Sequence, residues 1–79
     1  MKVRITKLKE PPYPEVANNI TEGYSKEGNM EEEPVVGEPV IVATISSYFR
    51  TSLVEQVNKN SYGWTIMTLN SIYKIEKLD

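Results

Sequence analysis

Two short polar runs hold the residue types best suited to binding chemistry. "FRTS" sets Arg50, Thr51 and Ser52 in succession, and "LNS" supplies Asn70 and Ser71 further along. One guanidinium among hydroxyls, an amide and turn N–H groups is a donor set for an anion, because hydrogen bonds to a charged acceptor are short and strong. Tyr48, Tyr62 and Tyr73 stand near these runs and offer ring faces on which a nucleobase could stack. A nucleotide or a nucleic-acid phosphate is the ligand that fits. The same residues also admit a purely structural account. Thr51 and Ser52 suit cross-strand pairs, Asn70 or Ser71 suits the cap of a turn, and Arg50 can hold an acid of the 31–33 run.

Catalysis has little to work with. The chain has no histidine and no cysteine, so the commonest general base, the commonest metal ligand and any thiolate are missing. Its one aspartate is Asp79, and no glycine-rich phosphate loop is present. Glu31, Glu32 and Glu33, with Glu27 and Glu38, could gather a hard cation, which wants oxygen ligands. They lack the alternating Asp and Asn with a glycine turn that a calcium loop carries. The expectation is a non-enzymatic protein with no metal and no cofactor.

Charge is divided along the chain. The net of −2 combines an acidic segment, Glu10 to Glu38, where eight glutamates against one lysine give −7, with a remainder of +5. An acidic loop carried on a basic body is the result. Either the loop is a solvated excursion, or the basic body meets an anionic ligand and the loop competes for that surface. With a pI near 5.1, strong non-specific nucleic-acid binding is not expected, since proteins of that class are usually basic. The longest mostly apolar run, "PVIVATI" (39–45), is too short to span a bilayer. The first ten residues carry charges throughout and no signal-peptide core. A cytoplasmic protein without membrane attachment is expected.

The elements that must position these residues are strands. Seventy-nine residues make one domain. "KVRITKL" (2–8) alternates, with Val3, Ile5 and Lys7 on one face and a basic outer face that suits a sheet edge. "EPVIVATISS" (38–47) is apolar on both faces and reads as a central strand. "YFRTSLVEQVNK" (48–59) and "YGWTIMTLN" (62–70) flank the polar tetrad "NKNS" (58–61), which reads as a hairpin turn. Pairing about that turn sets Val57 near Trp64, Glu55 near Ile66, Leu53 near Thr68 and Thr51 near Asn70. "KIEKL" (74–78) is the last strand. Residues 10–38 form a long acidic loop. "ITEGYS" (20–25) and "MEEEPVV" (30–36) are expected as arms of a hairpin with "KEGN" (26–29) at its tip. Trp64, Ile66, Phe49 and Tyr73 are expected in the core.

This order resembles the small five-stranded barrel of the Src-homology-3-like kind. That resemblance implies an all-β fold with a single 3₁₀ turn before the last strand, where "NSIY" (70–73) sits. Arg50, Thr51, Ser52, Thr68, Asn70, Ser71 and Tyr73 also match an R-T-S…T-x-N-S-x-Y pattern. It resembles that of small uncharacterised bacteriophage-type proteins. The likeness implies a phage accessory protein and names no ligand.

Two functions follow as expectations. The first is protein–protein interaction, with a host protein or with a second copy, through Tyr13, Tyr24, Glu31, Glu32 and Glu33 of the long loop and the adjacent barrel face. "PPYP" (11–14), around Tyr13, either stiffens the loop start or serves as a polyproline-type ligand. The second is sequestration of a small nucleotide through Arg50, Thr51, Ser52, Asn70 and Ser71, with Tyr48 and Tyr73 as stacking faces.

Overall fold

The structure, a computed structural model, describes residues 1–9 and 23–79. Six strands follow one another: β1 (Lys2–Lys9), β2 (Ser25–Asn29), β3 (Pro39–Ala43), β4 (Tyr48–Asn60), β5 (Gly63–Thr68) and β6 (Ile72–Lys77). Each pairs antiparallel with the next, and β6 returns to β1, closing a barrel in chain order. An even strand number lets an all-antiparallel meander close on itself without a parallel pair. The expected all-β small barrel is what forms, with six strands in place of five. The described residues contain no helix, so none is long and apolar enough to cross a membrane.

Period-two alternation builds the interior. Val3, Ile5, Val40, Val42, Phe49, Val54, Trp64, Ile66, Tyr73 and Ile75 point inward and are buried, and Met30 closes the floor. A barrel this narrow is filled by its own side chains. Lys7 continues the inward face of β1 and is also buried. Phe49 lies at one end, with Tyr24 stacked on it and Tyr73 edge-on, each at 5.7 Å between ring centroids.

Several expectations change. β1 is no sheet edge, for it pairs with β2 on one side and β6 on the other. Its outer-face Arg4 lies between acids of both neighbours. "KEGN" is not a hairpin tip but most of β2, which pairs Lys26 with Ile5 and Gly28 with Val3. Of the arm expected at 20–25, residues 20–22 lie outside the described residues, as does the "PPYP" stretch, and the arm expected at 30–36 forms no strand. The hairpin turn is Ser61–Tyr62, not 58–61. Asn60 tightens it by accepting from the Gly63 N–H at 3.1 Å. From Gln56 to Asn60 the register therefore moves by two residues and keeps the expected faces, pairing Val57 with Ile66 and Lys59 with Trp64. A bulge between Val54 and Gln56 then shifts it by one, so Val54 meets Thr68. No 3₁₀ turn precedes β6. Residues 69–71 form a bend instead, and its cap is Thr68, not Asn70 or Ser71. The Thr68 hydroxyl accepts from the Asn70 and Ser71 N–H groups at 3.3 and 3.1 Å, and the Thr68 N–H donates to the Ser71 carbonyl at 2.9 Å.

On the outside, Arg4 donates to Glu27 Oε2 from Nη2 at 2.9 Å and from Nε at 3.3 Å, with Glu76 4.0 Å away. The hydrogen bond, and then the charge attraction, holds Glu27 below its ordinary 4.5 and raises Arg4. A depressed carboxylate contributes stability above its unfolded pKa and loses it as pH falls through the folded value. Glu27→Gln should therefore be less stable than wild type at neutral pH. The gap should close as pH drops below 4.5. Urea midpoints across that range check it, and a gap that persists in acid would mean the pair contributes nothing.

Candidate functional site

The barrel has one weak seam. β2 and β3 share a single paired position, Asn29 with Ala43, where every other neighbouring pair shares four or more. Gly28 permits even this contact. A Cβ there would meet the Ala43 carbonyl oxygen at 2.6 Å and Val42 Cγ1 at 2.9 Å, so only a residue without a side chain lets β2 approach β3.

Beyond Asn29 the chain leaves β3. The Met30 N–H turns to the Met1 carbonyl at 2.9 Å, and the Met30 side chain is buried beneath the barrel. Three consecutive glutamates follow, held in solvent by mutual repulsion, and then Pro34, which has no N–H to give a ladder. The segment is anchored at its far end by a turn closed from the Glu38 N–H to the Val35 carbonyl at 3.2 Å. Two bonds to β4 complete the anchor: Gly37 N–H to the Val54 carbonyl, and Val54 N–H to the Glu38 carbonyl, at 2.8 and 2.9 Å.

Between this detour and β3 lies a groove of about 420 Å³. Met30 and Val40 give it an apolar floor, Ile41 an apolar wall, and Glu31, Glu32, Glu33 and Glu38 an acidic rim. All four glutamates are exposed. Among the described residues the only ion pair they make is Glu33 with Lys59, at 3.9 Å between well-exposed side chains. Such a pair contributes little.

The structure distributes the expected site residues differently. Glu31, Glu32 and Glu33 come together on this rim. Tyr24 does not join them; it is stacked on Phe49, and its carbonyl accepts from the Lys7 N–H at 2.9 Å. Tyr13 lies outside the described residues. Of the polar runs, Ser52 and Asn70 do meet, with Asn70 Nδ2 donating to Ser52 Oγ at 2.6 Å. Strand alternation separates the others. Arg50 and Tyr48 point outward, while Thr51 points into the barrel. Tyr73 is buried in the core, which removes it as a stacking face. Arg50 holds no acid of the 31–33 run; its side chain makes no hydrogen bond or ion pair among the described residues. Among the described residues Ser71 Oγ is buried without a hydrogen-bond partner.

Thr51 has a specific structural task. A bulge between Pro39 and Ile41 breaks the β3–β4 ladder. The Thr51 hydroxyl fills the gap, accepting from the Val40 N–H at 2.9 Å and donating to the Ser52 carbonyl at 2.7 Å. Thr51→Val should leave the buried Val40 N–H unsatisfied and cost about 1–3 kcal/mol, whereas Thr51→Ser should keep most of that stability. Urea denaturation of the two variants checks this; equal losses would remove the hydroxyl from the account.

Comparison with protein-family models, with curated proteins and with solved structures gives no match for this chain. The groove residues that the sequence did not mark as candidates are Met30, Val40 and Ile41; Glu38 was marked only as part of a cation cluster. Pro34 in a stretch otherwise suited to a strand was the available signal, since proline inside such a run argues against continuous pairing.

Proposed function

We propose that this is a non-catalytic binding protein that holds a cationic stretch of a partner protein in the acid-rimmed groove between β2 and β3. The observation that supports this reading is the groove itself. Four glutamates surround an apolar floor, and among the described residues only Lys59 offers them a counter-charge. Unpaired charge around a concavity favours a ligand of opposite sign and steers its approach. The R-T-S…T-x-N-S-x-Y likeness supports a bacteriophage setting, in which the partner is a host protein. The nucleotide reading has less to rest on, since the hydroxyls of Thr51 and Ser52 serve the barrel.

Calorimetric titration with two peptides of equal length, one alternating lysine and valine and one alternating glutamate and valine, tests the proposal. The lysine peptide should bind and the glutamate peptide should not. The quadruple variant Glu31→Gln, Glu32→Gln, Glu33→Gln, Glu38→Gln should lose about tenfold or more in affinity. That follows from about 0.3–1 kcal/mol per exposed charge and about 1.4 kcal/mol per decade. Equal binding of both peptides, or binding of neither, overturns it, as does a purified chain whose ultraviolet spectrum shows bound nucleotide.

A further inference from the structure

The same groove exposes backbone as well as charge. In an antiparallel ladder, successive residues turn their N–H and C=O alternately to one neighbour and the other. On β3, the Val40 N–H points to β4, where Thr51 receives it, and the Thr44 N–H points the same way, to the Ser47 carbonyl at 2.7 Å. Ile41 and Ala43 must then turn their backbone groups toward β2. Ala43 finds Asn29 there. The position opposite Ile41 would belong to Glu31, but the chain has already turned away at Met30, and the two do not pair. The N–H and C=O of Ile41 therefore open into the groove.

We infer that the partner enters as an extended strand, hydrogen-bonding the free edge of β3 at Ile41 while its basic side chains meet Glu31, Glu32, Glu33 and Glu38. This rests on the acid-groove reading above and adds the mode of recognition. Strand addition draws affinity from main-chain hydrogen bonds and selectivity from alternate side chains. β3 runs five residues, Pro39–Ala43, and the Asn29–Ala43 bridge bounds the free stretch, so a short segment fills it without opening the barrel. Charge decides the occupant. A second copy of this chain pairing β3 to β3 would bring two acidic rims together, and like charges set opposite each other are destabilising. A lysine- or arginine-bearing segment of another protein has the complementary sign.

Amide hydrogen exchange by NMR, with the hexapeptide Lys-Val-Lys-Val-Lys-Val and two N-methylated forms of it, tests the inference. N-methylation at alternate residues blocks one edge of the peptide, and the two forms block opposite edges. The Ile41 amide should exchange freely in the protein alone and slow at least tenfold with the unmodified peptide. One methylated form should lose binding and the other keep it. If both methylated forms bind as the parent does, while Glu31 to Glu33 resonances shift and Ile41 exchange stays unchanged, strand addition falls and the acid-groove reading stands. If no peptide perturbs the groove, both fall. Protection of Ile41 in the free protein, with a dimer by light scattering, would give the edge to a second copy and overturn the inference.

Discussion

Trp64→Ala should cost about 3–5 kcal/mol, the usual loss when a large buried aromatic is truncated in a core. The total stability of a chain this size is about 4–12 kcal/mol, so the variant should be partly or largely unfolded at room temperature. Trp64 is 3% exposed and lies inside β5, with Ile75 directly opposite on β6 and Lys59 on β4. Three strands thus converge on one side chain. The void left by alanine has few ways to close, since backbone hydrogen bonds tie β5 to both neighbours. Trp64 is the only tryptophan, so its fluorescence disappears with the mutation and far-UV circular dichroism must follow urea unfolding. Trp64→Phe keeps an aromatic ring in the cavity and should lose clearly less. A loss below about 0.5 kcal/mol for alanine, the range of exposed positions, would show that β5 does not carry the core.

The sequence made the barrel legible where one face had to be buried. Val3, Ile5 and Lys7 alternate, and so do Trp64, Ile66 and Thr68, and all six are buried. β2 escaped because "SKEGN" carries no apolar residue. It is a strand because β1 offers a ladder beside it and Gly28 tolerates β3 across it, which is tertiary context overriding local propensity. The turn at Ser61–Tyr62 escaped because polarity marks solvent as readily as a turn. Asn58 is exposed on β4 without leaving the ladder.

The candidate site was legible only in part, for a different reason. Residues adjacent in a strand point to opposite faces, so "RTS" could never present three side chains to one ligand. Sequence proximity suggested a cluster, and the alternation that identified the strand divides it. Ser52 and Asn70 meet because both lie near the end of the β4–β5 pairing. The acidic run was visible, but the groove behind it was not. A groove arises here from a pairing that fails, between Met30 and β3, and local pattern carries no direct record of a missing neighbour. Among the described residues, the same failure leaves Ile41 without a backbone partner on β2 and four glutamates with one weak counter-charge. The edge and the charge are thus two results of one departure of the chain. Charged side chains are a common guard on an exposed strand edge, and under the proposed reading these would guard it against a second acidic copy and leave it open to a basic strand.

Gly63→Ala should be as damaging as the loss of the tryptophan side chain, although it adds only one methyl group. Gly63 opens β5 directly after the Ser61–Tyr62 turn with φ +148°, a backbone conformation that side-chain-bearing residues rarely adopt. Strain of that kind costs about 1–3 kcal/mol. An added Cβ would also collide with the Ile75 carbonyl oxygen and press on the Ile75 carbonyl carbon at 3.2 Å and the Lys77 nitrogen at 3.3 Å. These atoms belong to the β6 backbone, so no side chain can swing aside. Overpacking of this sort costs a further 1–3 kcal/mol or so. Relief requires β5 and β6 to separate, which endangers the Gly63–Glu76 and Trp64–Ile75 pairs and the Lys77 N–H bond to the Tyr62 carbonyl at 2.8 Å. The expected total is about 2–6 kcal/mol, read as a fall in urea midpoint by both Trp64 fluorescence and circular dichroism. Ser61→Ala, two residues away at an exposed turn position, should change stability by no more than about 0.5 kcal/mol. If Gly63→Ala proved equally silent, the close approach of β6 to the start of β5 would be wrong, and with it the tight hairpin that sets the register of β4 against β5.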